Sequence, residues 1–138
     1  MWPSSGGKVL SQASYIDHLD LAGIQKRLVE REKWSPEDAA EAVRRYKNFL
    51  LLLSKYPDQV LAPAPDMDEA WHAHILFTRK YMEDCQNIFG EYLHHTPAQS
   101  SDEEGKKSME EAQLRTANLY LEEFHESYFL ELNVATFW

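Results

Sequence analysis

Apolar residues recur at helical spacing through most of the 138-residue chain. A first helix is predicted over about 19–34, where apolar residues recur at helical spacing with charged residues between them. The start of a second helix is marked by Ser35 as N-cap, Pro36 at the first helical position and Asp38 three residues after the cap. This helix is predicted to end before Pro57 and to be buried on more than one side.

A third helix is predicted to begin at Asp66, where Glu69 completes a capping box, and to continue unbroken to Phe89. Gly90 supplies its stop signal. A fourth helix is predicted to begin near Ser101 or a few residues later, and no segment shows the alternating pattern of a strand.

These elements predict an all-α protein, a compact bundle of about four helices with a packed C-terminal tail. Residues 1–14 are expected to form a flexible arm, and residues 15–138 a single helical domain.

Net charge narrows the range of partners. The chain carries a net charge of -9 and has a pI near 5.1, so its surface repels nucleic-acid phosphates and anionic membranes. Neither nucleic acid nor a membrane is therefore expected as a partner. Cys85 is the single cysteine, which excludes an intrachain disulfide, and no secretory signal is apparent. A cytoplasmic location is the resulting expectation.

The third helix holds the most suggestive polar residues, because Trp71 is followed by His72 and His74. Histidines two positions apart on a regular helix point about 160° away from each other, so they cannot share an ion without a local break. His72 lies one turn from Asp68, which could fix its tautomer. His72 is therefore either a metal ligand or acid–base group, or the partner of Asp68 in a structural hydrogen bond.

Other residues of this helix have simpler interpretations. His74 is expected to be a core histidine bonded to a neighbouring helix or to Tyr81. Trp71 is expected to anchor the core, and Cys85 to be a small buried apolar residue.

His94 and His95 form a second histidine pair, expected to cap the end of the third helix. If that helix is unbroken, the Cα atoms of His72 and His94 remain about 13 Å apart. A metal site within one chain that uses both is then disfavoured, although dimerisation could evade this limit.

The fourth helix offers a further ligand if it packs antiparallel to the third. Glu69-x-x-His72 and Glu122-x-x-His125 share the spacing used by di-iron bundles, although no inward-facing Glu is evident in the middle of the second helix. The candidate ligands of a metal site built around His72 are Asp68, His72 and His125, and the expected ion is a transition metal such as Zn or Fe.

The stretch PAPDMDEAWHAHILFTRKYMEDCQNIFGEYLHHTP resembles the signature of the glycine-rich domain-containing protein-like family. The positions that match are Asp68, Trp71, His72, His74, Thr78, Tyr81, Asp84, Cys85, Phe89, Gly90, His94, His95 and Pro97. His125 follows Phe124 where the family often has glycine. The resemblance implies a bare domain, as in small bacterial members, and no established reaction.

Two functions remain open. The favoured one is an interaction or structural module, with another protein as its possible partner. The alternative is a metal-binding protein or metalloenzyme that uses His72 with Asp68 and other histidines. A nucleophilic hydrolase is poorly supported because no Gly-x-Ser-x-Gly motif occurs. The candidate functional cluster consists of Asp68, Trp71, His72, His74, Tyr81, Cys85, His94 and His95.

Overall fold

The computed structural model describes residues 12–95 and 102–130, and this part of the chain is helical without a strand. The helices are α1 (12–17), α2 (Ala22–Glu30), α3 (Pro36–Lys55), α4 (Pro65–Leu76), α5 (Thr78–Phe89) and α6 (Glu103–Phe124). The all-α prediction is confirmed, but residues 12–95 and 102–130 contain six helices where about four were predicted. Within these residues, no helix has both the length and the apolar character needed to cross a membrane.

Helix α3 is the centre of the packing, since it contacts α2, α4 and α6. The Ser35 hydroxyl accepts a hydrogen bond from the Asp38 amide at 3.1 Å, which confirms the predicted cap. Tyr46, Phe49 and Leu52 of α3 are fully buried. The side chains of this helix therefore form the core against which α4 is fixed.

The prediction of one unbroken third helix is wrong, because the chain breaks at Phe77. Phe77 has φ -87° and ψ 71°, and its amide bonds the carbonyl of His74 at 3.0 Å as α4 ends. On one straight helix, residues 74 and 84 would lie about 15 Å apart. Instead, His74 and Asp84 are joined by a hydrogen bond of 2.8 Å. Tertiary contacts thus favour two helices, although no Gly or Pro marks the break.

Asp66 is not the cap of this helix, contrary to the prediction. The N-cap is Ala64, and the buried Asp66 carboxylate accepts from Arg45 at 2.7 and 3.2 Å. Arg45 also donates to the carbonyls of Ser127 at 2.9 Å and Tyr128 at 2.5 Å. A buried charge needs such partners, and this set joins α3 to the start of α4 and to the chain that follows α6.

Helix α6 packs on α3, where the Asn48 amide donates to the Tyr120 hydroxyl at 3.0 Å and Lys55 pairs with Glu123 at 2.9 Å. It begins after Asp102, close to the predicted start. The condition under which the fourth predicted helix would supply His125, packing against the helix that carries His72, is not met, because α6 packs on α3.

The ends of the chain bear on the predicted domain limits. Residues 12–14, at the end of the expected arm, lie in α1. The rest of the arm (1–11) and the tail from residue 131 onwards lie outside the described residues.

Candidate metal centre

Three side chains with metal-binding atoms converge at the surface of α4. Asp68 and His72 lie one turn apart on the same face of this helix, and His95 comes from the segment after α5. One ligand atom from each can be chosen so that all lie within 4.8 Å of one another. Nε2 of His95 lies 2.5 Å from Oδ1 of Asp68, and the ring centroids of His72 and His95 are 5.2 Å apart.

His95 reaches this position because the chain reverses twice. The break at Phe77 turns α5 back against α4, and Gly90 then ends α5 with φ 78°, as the stop signal predicted. An added Cβ at Gly90 would meet no atom within 4 Å. Glycine is therefore favoured by the left-handed backbone and not by crowding. Residues 91–95 then run toward the first turns of α4.

Trp71 supports His95 from the core side. The two rings are stacked with centroids 3.9 Å apart and planes within 5°. The Trp71 indole N–H donates to the Tyr81 hydroxyl at 2.8 Å, and that hydroxyl donates to the Leu93 carbonyl at 2.6 Å. Tyr81 therefore holds both the ring beneath His95 and the backbone that carries it. Burial raises the pKa of Tyr81 far above its ordinary value, so the hydroxyl keeps its proton.

His74 belongs to a separate, buried network. Its Nδ1 lies 2.7 Å from the Tyr46 hydroxyl and its Nε2 lies 2.8 Å from Asp84. The Asp84 carboxylate needs a donor, so we assign the proton to Nε2 and let Nδ1 accept from Tyr46. Burial raises the pKa of Asp84, but hydrogen bonds from His74, Tyr15 and Lys80 outweigh burial and hold that pKa below its ordinary value. His74 is thus the core histidine that the sequence predicted.

The other candidate residues lie outside the converging group. Cys85 is buried, and burial raises the pKa of its thiol. His94 is exposed, with its ring 4.8 Å from that of Tyr92. His125 ends α6 with φ 57°. Of the predicted ligands Asp68, His72 and His125, the first two converge with His95, and His125 is not a member of this group.

His95 was expected to cap the end of the third helix, but it lies instead over the first turns of α4. The separation of about 13 Å expected between the Cα atoms of His72 and His94 holds only for an unbroken helix, and the break at Phe77 removes it. The sequence signal that could have identified this contact is the reversal at Gly90, if the break at Phe77 had been recognised.

A groove of about 420 Å³ borders His72, between α2 and α4. Its lining residues are Arg27, Leu28, Glu32, Glu69, His72, Ala73, Ile75 and Leu76. In the part of the chain that the structure describes, Arg27 and Glu69 form no salt bridge with another residue. Their charges therefore remain available to a molecule in the groove.

The three converging side chains offer two imidazole nitrogens and one carboxylate oxygen. Zn²⁺ binds such atoms at about 2.0–2.2 Å, which places neighbouring ligand atoms roughly 3.4 Å apart in a tetrahedral site. The present separations of up to 4.8 Å can close to that value through side-chain rotation. The donor set also suits Fe²⁺.

Comparisons with known proteins place the chain in a family. The sequence model of the UCP032817-like family matches residues 11–121. Glycine-rich domain-containing proteins 1 and 2 of Arabidopsis thaliana are 37% and 35% identical to the chain over 71 residues. Each of these alignments covers 49% of this chain and 9% of the relative's own length. No solved structure matches. The chain belongs to the UCP032817-like family, and its similarity to the two plant proteins agrees with the glycine-rich domain-containing protein-like signature in its sequence.

Proposed function

We propose that this domain binds a divalent transition metal through Asp68, His72 and His95. The observation that carries the proposal is the convergence of one ligand atom from each residue within 4.8 Å. Two imidazoles and a carboxylate form a common ligand set of Zn²⁺ and Fe²⁺ sites with open coordination positions. The ion would be bound at the surface and would be reached without opening the core.

A hydrogen bond between Asp68 and His95 explains the position of those two residues, but it leaves His72 unexplained. His72 is exposed, and its ring nitrogens form no hydrogen bond within residues 12–95 or 102–130. Its ring nevertheless lies beside that of His95. A shared ion would use all three side chains.

The supporting contacts also favour a metal site. Metal-binding histidines are commonly oriented by residues behind them. Here the stacked Trp71 ring, held by Tyr81, fixes the plane of His95. The His95 side chain is therefore already ordered in the metal-free protein, so binding of the ion costs less conformational entropy.

The test uses tag-free protein stripped with a chelator and titrated separately with Zn²⁺ and Fe²⁺, the latter without oxygen. Calorimetry and elemental analysis are expected to give one equivalent of metal. His72→Ala and His95→Ala should each weaken binding by at least about tenfold. His94→Ala, which changes the adjacent histidine outside the group, should bind as the wild type does.

Two results would contradict the metal site. One is the absence of stoichiometric binding of either ion to folded wild-type protein. The other is an equal loss of affinity in His94→Ala and His95→Ala, which would indicate that any surface histidine suffices.

An interaction role is a second candidate, favoured by the outer face of α6. Leu114 and Leu121 lie two turns apart and are 59% and 55% exposed. Apolar residues so placed are typical of contact with a second helix. Sedimentation of the wild type and of Leu114→Ser/Leu121→Ser at rising concentration tests self-association through this face. Identical monomeric behaviour of both proteins would exclude it.

A further inference from the structure

We propose that the metal-loaded domain hydrolyses a carboxylic ester or amide, with Glu69 as the general base that activates a metal-bound water. The inference rests on the proposed metal site. Its first support is the spacing within Asp68-Glu69-Ala70-Trp71-His72. In helical zinc sites of the His-Glu-x-x-His type, ligands stand at positions i and i+4, and the glutamate at i+1 is the base. Here Asp68 occupies the first ligand position.

Helix geometry gives these residues distinct directions. At about 100° per residue, Asp68 and His72 point within about 40° of each other, and Glu69 lies about 60° beyond His72. His72 therefore lies between the other ligand and the glutamate. The Glu69 carboxylate would therefore lie close to the ion, but it would not be one of its ligands.

The groove is an independent observation that points to the same side of the helix. His72 and Glu69 both line it, whereas Asp68 and His95 do not. Three protein ligands leave a coordination position for water in catalytic zinc sites. A water on the groove side of the ion would be next to Glu69 and accessible to a bound molecule.

Glu69 has no competing structural role in the described residues. Its side chain is exposed and forms no hydrogen bond or salt bridge there. The prediction that it closes a capping box is also excluded, because α4 begins after Ala64. A carboxylate without such partners is free to accept a proton from the water.

The groove also indicates the substrate class. Ile75 and Leu76 offer an apolar surface for an acyl group, and Arg27 contributes a cation from α2. During hydrolysis, Glu69 takes a proton from the water and the resulting hydroxide forms a bond to the carbonyl carbon. Negative charge then develops on the carbonyl oxygen, where the metal and Arg27 stabilise it.

The bond to the leaving oxygen or nitrogen breaks as the tetrahedral intermediate collapses. The proton held by Glu69 passes to the leaving group, giving an alcohol or amine and the acid. One water is consumed and no oxidant or reductant is required.

The experiment compares wild type, Glu69→Gln and Glu83→Gln, all loaded with Zn²⁺. Glu83 is an exposed glutamate on α5, outside the groove, and is a matched control. Metal affinity is measured first by calorimetry and should be equal in all three proteins. Metal-dependent hydrolysis of 4-nitrophenyl acetate should fall about 100-fold or more in Glu69→Gln and remain unchanged in Glu83→Gln.

A second measurement, the binding of acetohydroxamate, tests the role of Glu69 without depending on the ester chosen as substrate. Acetohydroxamate coordinates a metal through two oxygens and can donate a hydrogen bond to a nearby carboxylate. Its binding to the Co²⁺-loaded proteins is followed by visible absorption. Glu69→Gln should weaken this binding by about tenfold or more, since a charge-assisted hydrogen bond is lost.

The outcomes separate the two proposals. Failure of the wild type to bind metal overturns the metal site and the hydrolysis with it. If the wild type binds metal but shows no metal-dependent hydrolysis, the role of Glu69 is overturned and the metal site stands. The same conclusion follows if hydrolysis and acetohydroxamate binding are both equal in wild type and Glu69→Gln.

Discussion

Replacement of Tyr81 by phenylalanine tests whether the layer beneath His95 governs the metal site. Tyr81→Phe removes one oxygen atom from a side chain that is 1% exposed. That oxygen accepts from Trp71 at 2.8 Å and donates to the Leu93 carbonyl at 2.6 Å. The substitution leaves Asp68, His72 and His95 unchanged, so any change in metal affinity must come from a change in the position of these side chains.

The expected loss of stability follows from the two broken hydrogen bonds. The Trp71 indole N–H lies in the core and loses its acceptor, which costs about 1–3 kcal/mol. The Leu93 carbonyl is in a half-buried residue and can accept from water, so its loss adds little. We expect the free energy of unfolding to fall by about 2 kcal/mol. We expect metal affinity to fall by about 10- to 100-fold, because His95 loses its fixed plane.

The assay combines urea unfolding of the metal-free protein with calorimetric titration of Zn²⁺ into the folded protein. Tyr92→Phe is the matched control. The Tyr92 ring contacts that of Tyr81 at 5.3 Å between centroids, but its hydroxyl forms no hydrogen bond in the described segments. This control should match the wild type in metal affinity and lie within about 0.5 kcal/mol of it in stability.

Wild-type metal affinity in a folded, destabilised Tyr81→Phe would refute the reasoning. It would show that the Asp68–His95 contact alone is enough to position the histidine. Equal losses in Tyr81→Phe and Tyr92→Phe would also refute it, because the hydroxyl of Tyr92 anchors neither Trp71 nor Leu93.

Two further predictions concern the buried charges. Asp84→Asn should lower the free energy of unfolding by about 2 kcal/mol at neutral pH, since the charge-assisted hydrogen bonds from His74, Tyr15 and Lys80 weaken. The folded-state pKa of Asp84 lies below its ordinary value, so this stabilisation is present above about pH 4 and is lost as the pH falls through the folded-state pKa. A difference in urea unfolding that stays constant through that acid range would contradict the assignment. Arg45→Met should cost about 3–5 kcal/mol in the same assay, because Asp66 is left buried without its cation. Arg45→Met/Asp66→Leu should recover much of that loss, and a double variant as unstable as the single one would contradict the explanation.

The local signals in the sequence were sufficient for several elements of the fold. Ser35 and Pro36 fixed the start of α3, and Gly90 fixed the end of α5. Each of these positions is determined by a local preference of the backbone for one residue type, and such preferences can be recognised in a single sequence. The burial of Trp71 and Cys85 likewise follows from helical periodicity.

The metal site depended on a feature that local signals do not display. Phe77 lies in a continuous apolar pattern without Gly or Pro, and its conformation is decided by contacts between α4 and α5. In an unbroken helix, the length of the helix would keep His94 and His95 too far from His72 to share an ion with it. The packing partner of α6 was likewise a choice between helix faces, which helical periodicity alone does not decide.

The Arg45–Asp66 pair was missed for a different reason. An aspartate before a helical stretch matches the pattern of an exposed cap, and the sequence does not show that residue 66 is covered by α3. Arg45 stands in a basic stretch of α3, between Arg44 and Lys47, where a long charged side chain ordinarily reaches solvent. Only the assembled core shows that the two charges meet.

The break at Phe77 also has a consequence for local unfolding. All three proposed ligands lie within residues 68–95, and α5 packs chiefly against α4. Helix α4 is also held by α2 and α3, so α5 is the part of this segment that can open while α3, α4 and α6 remain folded. A bound ion would join α4 to residue 95 across α5 and oppose such opening. Metal should therefore slow hydrogen exchange most in α5, with little change at the α3–α6 contact.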